Sequence, residues 1–569
     1  MSRYPLASSL RLLAMTLPIP MIACSPLERK SDPVTAARDL IAQHEKAIRP
    51  LEKAVSLSWW NANTTGRDED FHAKEEAQNQ IDAALADPTR FEELKSVREK
   101  LARETGVDPL LSRQIEVLYL QYLEKQVDPS LLKAMAAKSN AVEKAFNVYR
   151  AKVDGKEMTD SEVRKVLKES KDSELRRKVW VASKGVGAVV EGDLKELARL
   201  RNEAAKKLGF RNYHAMMLEL NEQKQERVIA LFDELYELTR EPFRAVKAEI
   251  DAKLAKDYGI APADLMPWHY QDPFFQESPA IYDTDLDSAF KDADILELCR
   301  KFYGSIGLPI DDVIERSDLY EKPGKSPHAF CTDIDREGDV RVLANIVPNE
   351  RWMSTMLHEL GHSVYSSKNI PRSVPYVLRG EAHILTTEGI AMLFERFSSR
   401  AGWLVKRGVK IQDAKAFELT GARMRRNQLL IFSAWCQVML RFEKGMYENP
   451  DQDLNKLWWD LVEKYQLLKR PEGRSAPDYG SKIHIVSAPA YYHNYLMGQL
   501  FASQLHETIA REVLKTTPAA ASYDGEPRVG EFLKAKVFAP GRSLQWNALT
   551  QFATGAELNA KAFAAEFRG

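Results

Sequence analysis

The run WMSTMLHELGHSVY, residues 352–365, constrains this chain more than any other stretch. Its apolar residues Trp352, Met353, Met356, Leu357, Leu360, Val364 and Tyr365 recur at helical spacing, so one face can be buried while His358 and His362 share the edge of that face. Asn349 after Pro348 predicts the N-cap, and Glu350 falls in the first turn, where it complements the helix dipole. Two imidazoles one turn apart with Glu359 between them make an HExxH pattern, which suits a zinc ion held by neutral nitrogens, with the glutamate free to act as a base toward water. Gly361 costs about 1 kcal/mol in a helix interior relative to Ala, which calls for a local reason such as close approach by another segment. Composition alone yields an HExxH in about one or two chains in a hundred of this make-up, so the motif needs its context.

A catalytic zinc takes a third protein ligand, and two glutamates compete for the place. Glu381 follows His362 after 18 intervening residues, a spacing found in one group of zinc aminopeptidases, and Glu388 follows after 25. Glu388 heads a second helical pattern, with apolar residues at 390, 393, 394 and 397 behind a predicted cap at Thr386-Thr387. Glu381 lies soon after Pro371 and Pro375, where loop structure is expected. A carboxylate on a buried helix is held rigidly, so Glu388 is preferred.

The 569 residues contain no linker, low-complexity tract or fixed repeat, and amphipathic helical patterns run on both sides of the motif. A single, mostly α body is the simplest reading. With 81 basic against 82 acidic residues there is no global field to draw nucleic acid or an anionic membrane. The charge-dense runs 164–177 and 196–207 read as solvated helix faces. Residues 1–23 carry Arg3 and Arg11, then an apolar run ending at Met21-Ile22-Ala23 before Cys24-Ser25. They resemble a bacterial lipoprotein signal, with cleavage before Cys24 and a lipid anchor there; ordinary secretory cleavage is the alternative. The expected organisation is a leader, 1–23, and one helical domain, 24–569, exported to the periplasm or anchored at the outer membrane. The remaining Cys299, Cys331 and Cys436 form no CxxC pair and predict buried thiols without a disulfide framework.

Seven of the eleven histidines fall between His328 and His506. Upstream of the motif, 328–334 and 340–346 read as two strands joined by the turn-forming 335–339, a hairpin leading into the zinc helix. Its edge could pair with an extended peptide, or it could simply wall the cleft. Downstream, Lys482, His484, Tyr491, Tyr492 and Tyr495 precede a predicted helix over 496–509. A tyrosine hydroxyl or a protonated histidine can meet a developing oxyanion, and a lysine with a phenol can hold a carboxylate. His383, His493 and His506 read as structural.

His328-Ala329-Phe330-Cys331, HELGHSVY at 358–365, the Glu388 segment, and Lys482-Ile483-His484-Ile485 followed by Tyr491-Tyr492-His493-Asn494-Tyr495 together resemble the angiotensin-converting-enzyme family of zinc peptidyl-dipeptidases, in a bacterial form. His328 precedes His358 by 30 positions, as the matching residues do in that family. The resemblance implies an elongated, two-lobed helical metallopeptidase with a deep central channel and a small β element near the zinc. It implies one zinc ion on His358, His362 and Glu388, with Glu359 as general base and later proton donor. Tyr495 and His484 would stabilise the oxyanion, His328 and Ala329 would contact the substrate backbone, and Gln271, Lys482 and Tyr492 would grip a free C-terminal carboxylate. Substrates would be short peptides losing C-terminal dipeptides, acted on by a monomer with no nucleic-acid partner, attached to the membrane only through Cys24. The chain departs from the family in spacing, with two extra residues between His362 and Glu388 and one extra between His484 and Tyr492, and also at two single positions. Met392 stands where the animal enzymes have an aspartate behind a zinc histidine, so that support must come from elsewhere. Asn494 replaces an arginine used for chloride binding, so chloride dependence does not carry over. The alternatives are a thimet-like oligopeptidase, a single-residue carboxypeptidase, and a surface lipoprotein that binds peptides without turnover.

Overall fold

The computed structural model describes residues 32–282 and 285–568. The leader and Cys24 lie outside the described residues. Helices dominate, as expected, with two small antiparallel hairpins: β1 (Ala151–Val153) with β2 (Lys156–Met158), and β3 (Phe330–Asp333) with β4 (Val340–Leu343). No helix among the described residues is long and apolar enough to cross a membrane.

Four early helices begin alike: α1 (Pro33–Thr65), α2 (Pro88–Leu101), α3 (Pro109–Glu124) and α4 (Pro129–Val148) each follow an Asp-Pro step. The aspartate side chain accepts from amides of the first turn, and the proline fills a position whose missing N–H costs nothing. Apolar residues of α1, α2 and α3 make a core of their own that includes Val377 and Leu378, while the main core runs from Val142 to Phe563. Trp59 in α1 packs on Phe330 of β3 with ring centroids 4.0 Å apart, so the early helices reach the hairpin.

Three helices form the centre: α5 (Glu350–Val364), α6 (Ile384–Glu395) and α7 (His493–Thr508). Asn349 caps α5 as predicted, its Oδ1 accepting from Trp352 N at 2.8 Å. A Cβ on Gly361 would come within 2.7 Å of Ala391 Cα, and one on Gly498 within 2.9 Å of Glu388 Cβ. Glycine at these two places lets α5 and α7 close on opposite sides of α6, which answers the question Gly361 posed.

Two local expectations change. Helix α6 starts earlier than Thr386-Thr387: His383 is its N-cap, with Nδ1 accepting from Leu385 N at 3.0 Å. Glu388 therefore lies a turn inside the helix, and Thr387 is free to face α5. The charged runs are also not wholly solvated. Arg176 is fully buried and donates to Trp268 O, and buried Arg201 donates to Ile485 O and Val486 O. A buried guanidinium needs acceptors for its fork, and here the acceptors are carbonyls of two short helical turns, Pro267–His269 and His484–Ser487, next to the site. Cys299 and Cys436 are buried and free, whereas Cys331 in β3 is free but only half-buried.

Candidate active site

On α5, His358 and His362 turn their Nε2 atoms toward each other at 3.1 Å, and Glu388 Oε2 on α6 lies 3.6 Å from His358 Nε2. The three residues offer ligand atoms that all lie within 4.8 Å of one another. Glu381 is not in this group, so the structure brings together the preferred triad. The outward nitrogens are held from behind: Nδ1 of His358 pairs with Glu395 Oε2 at 2.7 Å, and Nδ1 of His362 with Thr387 Oγ1 at 2.7 Å. The Glu395 carboxylate can only accept, so it favours the His358 tautomer that leaves Nε2 unprotonated for a metal, while the Thr387 hydroxyl fixes the orientation of the His362 ring. Two imidazoles and a carboxylate, mutually close and oriented from behind, fit a zinc ion by donor chemistry.

Glu395 is the residue that sequence reasoning missed. It lies seven positions after Glu388, two turns along the same face of α6, and its longer side chain reaches the histidine that Met392 cannot serve. Burial opposes charge on His358, yet the Glu395 bond outweighs it and lifts the imidazole to about 9 in the metal-free protein. Burial and the His358 charge drive His362 far the other way. Glu359 is 9% exposed, and burial raises its carboxyl to about 7, opposed by His358 and by a hydrogen bond from the Cys331 amide. Strand β3 thus touches Glu359 directly. Asp318 bridges to Leu343 on β4, while the outer edge of β3 has no strand partner among the described residues. His328 is exposed and Ala329 half-buried just ahead of that edge.

On the other side of the triad, Tyr495 sits in the first turn of α7. It receives a hydrogen bond from Tyr491 and lies in the field of Glu388, with the two tyrosine rings 5.3 Å apart. His484 packs edge-on against Tyr492, with ring centroids 5.3 Å apart, and its Nδ1 is buried without a partner among the described residues. Burial, with Lys482 nearby, drops His484 to about 4, so it enters neutral rather than protonated.

Of the three residues expected to grip a carboxylate, Lys482 and Tyr492 come together and Gln271 does not join them. Lys482 Nζ donates to Gln276 Oε1 at 2.7 Å, and the Tyr492 hydroxyl lies 3.4 Å from the same oxygen. Gln271, five residues earlier, instead accepts from Ala280 N through its side chain and has a φ of 64°. The structure therefore joins Lys482 and Tyr492 with Gln276 and leaves Gln271 apart. Lys482 is 6% exposed, and burial lowers its amine to about 8 against the pull of Asp272.

A mostly helical body with an HExxH helix, a glutamate on the next helix and a hairpin beside Glu359 defines a helical protein whose two histidines and one glutamate form a group able to hold a metal ion. The family model described as angiotensin-converting enzyme, peptidase M2, matches residues 31–569, and the chain belongs to that family. Similar proteins include the angiotensin-converting enzyme-like protein Ace3 of Mus musculus, 22% identical over 444 residues, which cover 72% of this chain and 59% of that protein. The angiotensin-converting enzyme of Theromyzon tessulatum is 23% identical over 292 residues, 48% of this chain and 46% of its own. That of Mesocricetus auratus is 24% identical over 277 residues, 47% of this chain and 20% of its own. The matches thus span less than two thirds of the length of these relatives.

Proposed function

We propose that this protein is a zinc peptidase that removes dipeptides from the free C-terminus of short peptides. The observation that carries the reading is the Lys482, Gln276 and Tyr492 cluster, a cation and two hydrogen-bonding groups on the same side of the triad as Tyr495. Zinc held by His358, His362 and Glu388 would polarise the scissile carbonyl and acidify water. Glu359 takes the proton of the attacking water and returns it to the leaving amine. Tyr495 and the neutral N–H of His484 donate to the carbonyl oxygen as its charge develops. The free edge of β3, with His328 and Ala329, pairs with the extended substrate backbone. Lys482, Gln276 and Tyr492 hold the terminal carboxylate and so set which bond lies over the metal. Asn494 is buried and accepts from Gln223 Nε2, so no cation occupies its position and chloride activation is not part of the reading.

Mass spectrometry of products from a blocked peptide, with a free and with an amidated C-terminus, tests this directly. The free peptide should lose dipeptides and the amide should resist. Equal cleavage of both would mean an endopeptidase, and release of single residues a carboxypeptidase. Glu359→Gln should cost about 10²–10⁴ in kcat while zinc is retained; bound zinc with no turnover of any peptide by the wild type would instead mean a binding protein.

A further inference from the structure

Lys482 and His484 stand before a tight bend in the chain, and Tyr492 and Tyr495 follow it. The two sides meet again across the bend: the Lys482 ammonium lies 5.3 Å from the centre of the Tyr492 ring, and the His484 and Tyr492 ring centroids are also 5.3 Å apart. The bend therefore sets how the groups proposed to hold a carboxylate and to meet an oxyanion face one another.

Each side is fastened from behind by a buried side chain. Arg201, from the helix Val186–Lys207, donates to Ile485 O at 3.2 Å and to Val486 O at 2.7 Å. Gln223 accepts from His493 Nε2 at 2.7 Å and donates to Asn494 Oδ1 at 2.7 Å. Between these fastenings, Ser487 N and Ala488 N turn back to Ile483 O and His484 O, and Pro489 has no N–H to give. Among the described residues, Ala490 N is the one backbone donor of 487–490 bonded to another element: it donates to Glu443 Oε1 at 2.9 Å.

Ala490 has a φ of 54°, in the left-handed region where a Cβ is crowded and glycine is the usual residue. Such a conformation persists only where its surroundings enforce it. The sequence supplies the reason for it here, since the run between His484 and Tyr492 holds one residue more than the family's. A chain that spans a gap pinned at both ends with a residue to spare has to turn out of line. Glu443, in the helix Ala414–Glu448, is 2% exposed and meets that turn. Burial raises its carboxyl to about 8, opposed by the Ala490 amide and by Arg201. An uncharged acceptor therefore suffices at neutral pH, and glutamine is its isostere.

We infer that Glu443 is a positioning residue for the proposed site: by anchoring the left-handed turn at Ala490 it takes up the extra residue and keeps Tyr492 and Tyr495 in register with Lys482 and His484. The inference rests on the peptidase reading above and adds to it a group that touches neither zinc nor peptide.

The test measures kcat, KM and bound zinc for the wild type and four variants, on one blocked peptide with a free and with an amidated C-terminus. Glu443→Gln keeps the acceptor and should stay within about threefold of wild type. Glu443→Met keeps the bulk without the acceptor, leaves a buried N–H unpaired, and should lower kcat/KM on the free peptide about 10- to 100-fold. Because the turn spaces both pairs of groups, kcat should fall and KM rise together, the preference for the free over the amidated peptide should shrink, and zinc should stay stoichiometric. Adding Ala490→Gly to Glu443→Met supplies a residue that takes a positive φ without strain, and should win back about threefold or more; a residue that merely filled the core would gain nothing from glycine at the turn. Glu443→Asp, which draws the acceptor back by one methylene, should lose in the same way by less and serves where Glu443→Met does not fold. Full activity of folded Glu443→Met or Glu443→Asp, or a loss that Ala490→Gly does not relieve, overturns the inference. So does a folded Glu443→Gln as impaired as Glu443→Met. A wild type that cleaves neither peptide, or both equally, strikes the peptidase reading itself.

Discussion

The His358, His362 and Glu388 triad and the Lys482, Gln276 and Tyr492 cluster are built in opposite ways. His358, His362 and Glu388 project from the interiors of α5 and α6, which pack so closely that Gly361 has no room for a Cβ. Each histidine is fixed from behind by one further side chain. Gln276 and Lys482, by contrast, come from chain with no regular structure, and Tyr492 from the turn before α7. Individual side chains from other elements hold these segments: Arg176 on Trp268 O, Trp180 on Pro273 O, Gln466 on Phe274 O and Phe275 O, and Arg201 on Ile485 O and Val486 O. A helix fixes a side chain through many repeated backbone bonds, whereas a loop depends on a few individual ones. The chemistry should accordingly tolerate little change at the triad, and the specificity should be tunable at the grip.

The largest effect that could break this contrast is loss of a ligand. Glu388→Ala should leave the purified protein without stoichiometric zinc and without peptide hydrolysis, while Glu381→Ala keeps its metal, as read by metal analysis. Glu381 is raised to about 7 by burial and sits with Asp333, Arg336 and Arg542, so its loss can lower the melting temperature without emptying the site. Zinc kept by Glu388→Ala and lost by Glu381→Ala would transfer the third ligand to the loop.

A smaller effect is expected one layer out. Glu395→Gln preserves the shape but weakens the hold on His358 Nδ1, and zinc affinity should fall about 10- to 100-fold by chelator competition. Unchanged affinity would mean that the helices alone orient the imidazole. This residue also marks where the sequence stops being readable. The cap at Asn349, the demand of Gly361 for a close neighbour and the choice of Glu388 over Glu381 follow from helical periodicity, a signal repeated every three or four residues. Glu395 shares that period, but periodicity cannot say which of several acidic or polar residues on a face will meet a histidine of another helix. The start of α6 was misplaced because two threonines look like a cap while His383 does the capping. Arg176 and Arg201 were lost in runs whose average character is solvated, and burial is decided residue by residue.

The grip shows the limit most plainly, and it supplies the finest test. Gln271 and Gln276 lie in one aperiodic stretch, Trp268 to Gln276, in which Gln271 and Phe275 both take positive φ, at 64° and 52°. Each such residue turns the chain in a way that hydrophobic pattern does not encode, so nothing in the sequence says which glutamine faces Lys482. If Gln276 does the holding, Gln276→Ala should raise KM for a peptide with a free C-terminus about tenfold, the worth of one hydrogen bond to a charged group, with kcat changed less. The same variant should lose only part of the discrimination against an amidated terminus, because Lys482 and Tyr492 remain. Gln271→Asn, which tolerates the positive φ but shortens the side chain, should leave KM within about twofold. The opposite pattern, with KM moved by Gln271→Asn alone, would mean that this loop reorganises when substrate binds, and that the grip is assembled by the peptide it holds.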